Sequence, residues 1–527
     1  MVKLKKFSTY FERNIKKNNK DAYYENGYIF ILGCPGYDPK HGIDWDSDPY
    51  SYRSWRWLLN SFKWMDSLLF DYLNSCDESS IEKCVDYFLE WYVYYFEEDR
   101  DEEFLWKDDA VSFRSLRISI IAERIRSSPK YSDRVKSVAE WAVKKHYEEL
   151  INEKKFKKNN HGIFQLRGLL TISSLHSDIV SLKNAEAYAE RQINFLWMQQ
   201  YGDQGIHLEN STAYHYLAIR NFREILASPE FSNCNIIFGK NEIDRVIENG
   251  KYFYHPNGVS ALFGDTNLSK KDPKEVQFFG DKIFNEAGYA FLASNESSNH
   301  QSYLAIRTGF PSNIHRHSDD FSFEWSENGE IILQDSGRYS YDYSDPMRAY
   351  ISSSKAHNTV TVNDNNFPWW GDYQKKDFYK GAVTAYSGDD TFASLTLEKY
   401  FQSLKVSYKR DFILVRGRSL RIVDTLISDC SNCYQQWFHL AEGFAYSCED
   451  SLGRLVFVSE KVKLYITPPD NSTVYITKGQ KKPFYQGWVS YKEKSVTPRY
   501  SVGFIKNSTE FVFDTGFLLE FIAPEQE

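Results

Sequence analysis

The chain has 527 residues and a formal net charge of −8, from 64 Lys and Arg against 72 Asp and Glu. A nucleic-acid surface relies on a basic field, so this balance argues against a nucleic-acid partner. No run of about 18 apolar residues indicates a membrane span. The length exceeds the roughly 250 to 300 residues that one hydrophobic core usually supports, so we expect at least two domains.

Cysteine usage and the start of the chain bear on the cellular compartment. Seven scattered cysteines, an odd number, do not form a disulfide framework. The basic start is not followed by the apolar segment that a secretion signal needs. We therefore expect a cytoplasmic protein, with the periplasm as the less favoured alternative. Cys430 and Cys433 form one C-x-x-C, for which a zinc or redox role and two partly buried thiols both stay open.

The first half of the chain has helical periodicity. From about residue 50 to 255, apolar residues recur at i, i+3 and i+4 with charged opposite faces, which predicts about eight consecutive helices. Their connections are short, so neighbouring helices are expected to pack antiparallel. The predicted helical segments are 51–74, 80–98, 110–128, 134–152, 162–175, 184–201, 212–227 and 242–255.

The second half has the residue pattern of β-strands. From about residue 260 onward, short alternating runs are bounded by turn residues. The clearest runs are 302–309, 330–337, 358–364, 412–428, 454–460, 463–469 and 473–479. We therefore predict an all-helical domain over residues 1–255 and an antiparallel β-sandwich over residues 256–527.

The segment HRHSDDFSF, residues 315–323, places two of only twelve histidines one residue apart. On a β-strand, alternate side chains share a face, so His315 and His317 would point the same way. Two such rings can serve one site. His315 would then project toward a cleft while His317 is tied down.

A metal site is one interpretation of the β half. His317, Asp335 in LQDSG and His357 in KAHNTV offer two imidazoles and a carboxylate, a ligand set that suits Zn²⁺. These residues can meet only if three strands are neighbours. A structural hydrogen-bond network is the alternative.

The helical half contains two further motifs. In NNHG, Asn160 and His161 lie at a predicted helix start, where an N-cap asparagine and a surface histidine are the alternative interpretation. In HLENSTAYHYL, a loop with Glu209 and Asn210 leads into a helix that carries Tyr214. Taken alone, Tyr214 would more often be a packed aromatic residue than an acid or a base.

Together and in this order, the motifs resemble those of the heparinase II/III-like polysaccharide lyases. The specific features are HRHSDDFSFEWSENGEIILQDSGRYSY and RAYISSSKAHNTVTVND, and NNHG and ENSTAYH upstream support them. The resemblance spans nearly the whole chain. It implies an incomplete (α/α) toroid followed by an antiparallel β-sandwich, which agrees with the periodicity.

The resemblance also implies residue roles. His317, Asp335 and His357 would hold one structural zinc ion, with His315 beside it facing the substrate. Asn160 and His161 would meet the substrate carboxylate, and Tyr214 would be the catalytic tyrosine, although spacing does not exclude Tyr216. Tyr350 resembles a second substrate-facing tyrosine. We place Glu209, Asn210 and Arg348 among the substrate-binding residues.

The implied reaction is β-elimination at a uronic acid, in which the C5 proton is removed and the O4 oxygen is expelled. Tyr214 could take the C5 proton, protonate O4 or do both, with His315 as the alternative base. A phenol is a poor base at neutral pH, so we expect cationic neighbours to lower the pKa of Tyr214. The candidates are His161, His315, Arg114, Arg220 and Arg348.

We expect the partner to be an anionic uronate-containing polysaccharide or oligosaccharide, and we expect Asn160, His161, Tyr214 and His315 to converge on one sugar acid. Heparan-type, alginate and other uronates all stay open. One competing interpretation is a uronate glycoside hydrolase that uses Glu209 and Asp319. Another is a non-catalytic protein of carbohydrate binding or surface-polysaccharide assembly.

Overall fold

The computed structural model describes residues 11–12, 22–31, 34–52, 54–98, 100, 104–277, 280–294, 301–368 and 381–522. The chain divides into two compact units. Unit 1 is Met1–Gln199 with Asn221–Gly239, and unit 2 is Gln200–Arg220 with Lys240–Glu527. This division is not a single cut near residue 255. The domain boundary that we placed there stays a prediction.

All but one of the described α-helices lie in the first half and confirm its helical character. They are α1 (Trp55–Asn60), α2 (Asp66–Ser75), α3 (Glu78–Tyr92), α4 (Asp108–Ser127), α5 (Asp133–Ile151), α6 (Asn160–Leu175), α7 (Leu182–Gln200), α8 (Thr212–Leu226), α9 (Lys240–Gly250) and α10 (Pro346–Ile351). None of them is long and apolar enough to cross a membrane.

Two of the predicted helical segments need correction. The first breaks into α1 and α2, because Phe62 has a left-handed backbone with φ of 58° and cannot continue a helix. The last ends as an α-helix at Gly250 and continues only as the short 3-10 turn Lys251–Phe253.

Polar caps explain where three of the helices begin. Asp77 accepts a hydrogen bond from the Ser79 N–H before α3, and Ser132 accepts one from the Val135 N–H before α5. Asn159 does the same for the His161 N–H before α6. Such caps satisfy N–H groups that have no partner inside the helix.

From residue 282 onward the strands confirm the β character of the second half, whereas the antiparallel pair Ala22–Glu25 and Tyr28–Ile31 lies in the first half, which is therefore not all-helical as predicted. The strands are β1 (Ala22–Glu25), β2 (Tyr28–Ile31), β3 (Lys282–Phe284), β4 (Tyr289–Ala293), β5 (Ser302–Arg307), β6 (Phe323–Glu327), β7 (Glu330–Leu333), β8 (Val360–Val362), β9 (Val383–Gly388), β10 (Phe392–Phe401), β11 (Val406–Val415), β12 (Ser419–His439), β13 (Ala445–Glu449), β14 (Leu455–Val458), β15 (Val462–Thr467), β16 (Thr473–Lys478), β17 (Trp488–Lys492), β18 (Ser495–Pro498) and β19 (Tyr500–Phe521).

Two antiparallel sheets of unit 2 share one core, as a β-sandwich requires. The smaller sheet has the order β3-β4-β5-β6-β7, and the larger has β13-β14-β15-β19-β12-β11-β10-β9, with β16 on β19 and β8 on β12. Leu304 and Trp325 from the smaller sheet pack with Phe412 and Phe438 from the larger. The predicted run 412–428 covers the end of β11, a turn and the start of β12, so it is a hairpin and not one strand.

The smaller sheet is buried on both faces. Tyr289 and Phe291 of β4 point away from the sandwich core and pack with Tyr252, Phe253 and Phe263. Every residue of β4, β5 and β6 is buried. The loops that leave this sheet are therefore anchored on rigid strands, and they carry the side chains described next.

Candidate active site

His315 and His317 lie in the loop between β5 and β6, not on a strand. His315 has a left-handed backbone with φ of 56°, so the predicted strand alternation is wrong. The two rings nevertheless serve one group. His315 Nδ1 is 3.2 Å from Asp265 Oδ2, and His317 Nε2 is 3.2 Å from Asp265 Oδ1.

Asp265 is the centre of this cluster and was missed from the sequence. The Arg348 guanidinium forms a 2.7 Å ion pair with Asp265 Oδ1. Burial by itself would raise the pKa of Asp265, but hydrogen bonds from His315 and His317 and the charge of Arg348 hold that pKa well below its usual range. Asp265 is therefore an ionised carboxylate, and Arg348, predicted to bind substrate, is a buried partner of it.

Gly264 allows this cluster to form. Its φ is +58°, and a Cβ at this position would overlap the carbonyl oxygens of Asn210 and His315. Only a residue without a side chain fits there. Gly264 thus brings the segments that carry Asn210, Asp265 and His315 into backbone contact.

Asn210 holds the loop that leads to His315. Its Nδ2 donates to the carbonyl oxygens of Ser312 at 2.8 Å and Ile314 at 3.0 Å, and its Oδ1 accepts from Arg307. The side chain is buried. The amide is therefore satisfied by protein groups that position the loop, and the substrate-binding role of Asn210 stays a prediction.

Glu209 lies on the other side of the His315 ring. Its Oε2 is 3.8 Å from His315 Nε2. Burial raises the pKa of Glu209, and His315 opposes that rise. Glu209 therefore lies beside the imidazole nitrogen that Asp265 does not contact.

Tyr214, near the start of α8, stacks on His315. The two ring centroids are 3.5 Å apart and the planes are inclined by 17°. Burial raises the pKa of Tyr214 above its ordinary value, the neighbouring Tyr341 adds to the rise, and Arg338 opposes it. The expectation that cationic neighbours lower this pKa is therefore wrong, and the phenol is protonated at neutral pH.

The tyrosine next to Tyr214 is Tyr341, which was also missed from the sequence. The two hydroxyl oxygens are 2.9 Å apart. Arg338 Nη1 donates to Tyr341 Oη at 3.1 Å, and its guanidinium carbon lies 4.6 Å from the Tyr341 ring centroid. Tyr341 is 37% exposed, so the pair Tyr214–Tyr341 lies at the surface of unit 2.

The other tyrosines named from the sequence lie elsewhere. Tyr350 is buried, and its hydroxyl accepts from the Gly487 N–H at 3.1 Å. Burial raises its pKa to about 12. The Tyr216 hydroxyl donates to the Gly250 carbonyl. Neither tyrosine hydrogen-bonds to the His315 cluster.

Among the described residues, the three arginines that we predicted beside Tyr214 have other partners or lie elsewhere. Arg114 is buried in unit 1, where it donates to the carbonyl oxygens of Asn60 and Leu105. Arg220 is exposed on α8, and Arg348 is paired with Asp265. The arginine that acts on Tyr214 is Arg338.

His317, Asp335 and His357 come together as predicted for a metal site. Each offers one ligand atom, and these atoms lie within 4.8 Å of one another in a buried position. They meet on loops and not on strands, because Asp335 follows β7 and His357 follows the 3-10 turn Ser354–Ala356. His357 Nδ1 is 2.8 Å from Asp335 Oδ2.

This triad fits a metal ion. His317 Nδ1 and His357 Nε2 are buried without a hydrogen-bond partner among the described residues, an uncommon state for an imidazole nitrogen. Burial lowers the pKa of His317 to about 4, so the ring is neutral, as a ligand must be. The geometry supports a possible metal-binding triad.

In unit 1, the NNHG motif starts α6. Because Asn159 is the cap, the side chain of Asn160 is not used for capping. A Cβ on Gly162 would overlap the Lys157 carbonyl oxygen, which explains the glycine. His161 Nδ1 is 2.6 Å from Asp108 Oδ2. The predicted convergence of Asn160 and His161 with Tyr214 and His315 stays a prediction.

Comparison with known proteins covers nearly the whole chain. Residues 11–285 match the family described as Heparinase II/III N-terminus, and residues 279–507 match Heparinase II/III-like, C-terminal. A curated heparin-sulfate lyase of Bacteroides stercoris is 22% identical, and the match covers 90% of this chain and 77% of that protein.

Solved structures agree with these matches. A mutant of the heparan sulfate lyase HepC from Pedobacter heparinus gives a TM-score of 0.69 at 16% identity and covers 98% of this chain and 84% of its own. A heparinase III gives 0.70 at 18% identity, with 97% and 84% covered. These likenesses support the helical domain followed by antiparallel sheets, and the two family matches show that the chain belongs to the heparinase II/III-like family.

Proposed function

We propose that this chain is a polysaccharide lyase that cleaves a uronic-acid-containing polysaccharide or oligosaccharide by β-elimination. One observation supports this most strongly: a protonated tyrosine, Tyr214, stacks on an imidazole, His315, with ring centroids 3.5 Å apart. This pair offers a proton donor and a proton acceptor side by side, as elimination across two adjacent carbons requires.

The surroundings of each group assign the proton transfers. Ionised Asp265 accepts a hydrogen bond from the Nδ1–H of His315, so the lone pair is on Nε2, which can take the C5 proton. The C5 electron pair forms the C4–C5 double bond, and the C4–O4 bond breaks. Tyr214, kept protonated by burial, gives its proton to O4. The products are an unsaturated uronate and a free hydroxyl.

Loss of the C5 proton puts a second negative charge beside the substrate carboxylate, and donors must stabilise that charge. Asn160 and His161 are proposed for this role because their side chains lie at the N-terminus of α6, where a helix favours anions. Tyr341 is proposed as a further substrate contact in place of Tyr350, because it is the exposed neighbour of Tyr214.

We further propose that the triad His317, Asp335 and His357 holds one zinc ion. Two imidazoles and one carboxylate suit this metal, and bound zinc would act as a structural clamp. His317 contacts Asp265 through Nε2, so its Nδ1 is the nitrogen left for a metal. A ligand ring fixed in this way would also fix Asp265 and, through it, His315.

The proposed substrate class is a glycosaminoglycan. The relatives named above are called heparin-sulfate lyase, heparan sulfate lyase and heparinase III. A chondroitin AC lyase from Streptomyces coelicolor A3, in complex with chondroitin sulphate, shares the fold at a TM-score of 0.50, with 6% identity and 98% of this chain and 79% of its own covered. Alginate-type uronates are the alternative. The cytoplasmic location stays a prediction.

Incubation of the full chain with heparan sulfate, chondroitin sulfate, hyaluronan and alginate tests the activity. We expect a product with a C4–C5 double bond, seen by its ultraviolet absorbance and by a mass one water lower than that of a hydrolysis product. Saturated ends would support the hydrolase alternative. Binding without any product would support the non-catalytic alternative. Burial disfavours Asp319 as a hydrolase group, because its side chain is only 1% exposed.

A further inference from the structure

Two carboxylates lie against the same nitrogen of His161. His161 Nδ1 is 2.6 Å from Asp108 Oδ2 and 2.8 Å from Asp109 Oδ1. Both aspartates belong to the first turn of α4, and His161 belongs to the first turn of α6. Because a carboxylate only accepts hydrogen bonds, Nδ1 must be the protonated nitrogen.

Exposure differs within this group of three. The His161 side chain is 37% exposed, whereas those of Asp108 and Asp109 are 11% and 15% exposed. The two carboxylates thus lie beneath the ring, and the ring is the part that solvent reaches. With Nδ1 occupied, Nε2 is the nitrogen left to donate to a ligand.

The negative charges of the two carboxylates beside His161 are themselves stabilised by their surroundings. The N-terminus of α4 stabilises Asp108 and Asp109, and the charge of Lys157 acts on Asp108 in the same sense. Hydrogen bonds that His161 donates to the carboxylates of Asp108 and Asp109 raise the pKa of His161 to about 9, although burial opposes the rise. His161 therefore carries a positive charge at neutral pH.

We propose that Asp108 and Asp109 are positioning residues that hold the His161 ring charged, with Nε2 outward, so that it binds the carboxylate of a uronate. This inference rests on the proposed lyase function and deepens it. Three residues then take part in recognising the substrate carboxylate. His161 contacts it, whereas Asp108 and Asp109 hold the ring and do not touch the substrate.

The first test needs no substrate. In the full chain with labelled histidine, His161 is assigned through a His161→Gln variant, and its ring shifts are followed by NMR against pH. We expect the His161 ring to lose its proton near pH 9. We also expect Asp108→Asn with Asp109→Asn to move that transition to an ordinary histidine value, about 6.5. A wild-type transition at the ordinary value would overturn the inference.

The second test uses turnover at two pH values. At about pH 8, where an ordinary histidine is neutral, the double variant should show a KM about tenfold higher, the loss of one charge-assisted hydrogen bond. Its kcat should also fall at this pH, because the charged His161 ring stabilises the negative charge that develops beside the substrate carboxylate. At about pH 5.5 its KM should return to that of wild type, because His161 is then protonated without the carboxylates.

A structural defect would raise KM at both pH values, and that result would overturn the inference. Asp133→Asn is the matched control, because Asp133 is the first residue of α5 just as Asp108 is the first of α4. It should change KM at neither pH. If wild type cleaves no uronate polymer, the lyase proposal fails, whereas the NMR transition still decides whether Asp108 and Asp109 charge His161.

Discussion

Two partly exposed imidazoles of this chain, with side chains 37% and 18% exposed, are held by carboxylates in different ways. His161 has two carboxylates, Asp108 and Asp109, to itself. His315 shares Asp265 with His317 and with the guanidinium of Arg348, and its Nε2 lies 3.8 Å from Glu209, whose pKa is raised by burial. In the first arrangement the two carboxylates favour a charged imidazolium. In the second, the negative charge of Asp265 is shared among His315, His317 and Arg348.

The two histidines are therefore suited to different roles, His161 to binding the substrate carboxylate and His315 to proton transfer. A histidine that must neutralise a carboxylate should stay charged throughout the reaction, and two dedicated carboxylates favour that state. A histidine that must accept a proton has to be neutral first, with its ring fixed and one nitrogen free. Asp265 fixes the ring of His315 through Nδ1, while Arg348 takes up much of its charge.

The largest expected effect comes from Tyr214→Phe. Removing the hydroxyl leaves O4 without its proton donor, so kcat should fall by about 10³-fold, within the range for general acid catalysis. Sugar binding should persist, because the ring can still stack on His315. The rate of unsaturated product formation and a binding isotherm measure these two quantities.

Tyr216→Phe is the matched control, because Tyr216 lies on the same helix with its hydroxyl on the Gly250 carbonyl. It should keep kcat within a few-fold of wild type. Full turnover in Tyr214→Phe, together with loss in Tyr216→Phe, would transfer the catalytic role to Tyr216. Full turnover in both would leave His315 as the candidate.

Asp265→Asn should have the next largest effect. The neutral amide no longer fixes the Nδ1 proton of His315 and leaves the charge of Arg348 unbalanced, so we expect kcat to fall by about 10²-fold and the melting temperature to drop. Asp281→Asn is the control, because Asp281 pairs with the buried Arg416 at 2.7 Å in the same unit without touching His315. If both variants lose stability but keep turnover, Asp265 has no catalytic positioning role.

Zinc removal should have a smaller effect. A chelator that strips the triad His317, Asp335 and His357 should lower the melting temperature and reduce kcat by about 10-fold, as loss of positioning does, and added zinc should restore both. Asp335→Asn should abolish metal retention in elemental analysis. Cys430→Ser with Cys433→Ser should retain the metal, since those cysteines are not among the ligands. Wild-type activity in metal-free protein would contradict this role.

The smallest expected effect is that of Tyr341→Phe. The Tyr341 hydroxyl helps to raise the pKa of Tyr214, so its removal should lower that pKa. A general acid works below its pKa, and the alkaline limb of kcat/KM should therefore move to lower pH. At neutral pH we expect only a few-fold loss. Tyr343→Phe, on an exposed tyrosine of the same loop, should leave the limb in place.

Local signals made most of the fold predictable from the sequence. Helical spacing and polar caps such as Asp77 and Ser132 depend on neighbours in the chain, and so does the alternation of strands such as β11 and β15. The break at Phe62 could not be predicted in this way, because a left-handed backbone at an aromatic residue is imposed by packing and not by local preference.

The site was predictable only in part for the same reason. His317, Asp335 and His357 are recognisable by residue type, and their meeting was a conditional prediction that the structure confirms. The roles of Asp265 and Tyr341 depend on contacts 50 and 127 residues away in the chain. The glycine before Asp265 and the tyrosines of GRYSY were the available signals, but neither names its partner.

The most direct test of the central claim is a double-mutant cycle on elimination. Tyr214→Phe and His315→Asn are measured singly and together, asparagine being the substitute that best tolerates the left-handed backbone of residue 315. If the two rings act as one acid–base unit, the double variant should be hardly slower than the slower single variant. Losses in log kcat that simply add would contradict the claim that Tyr214 and His315 work together.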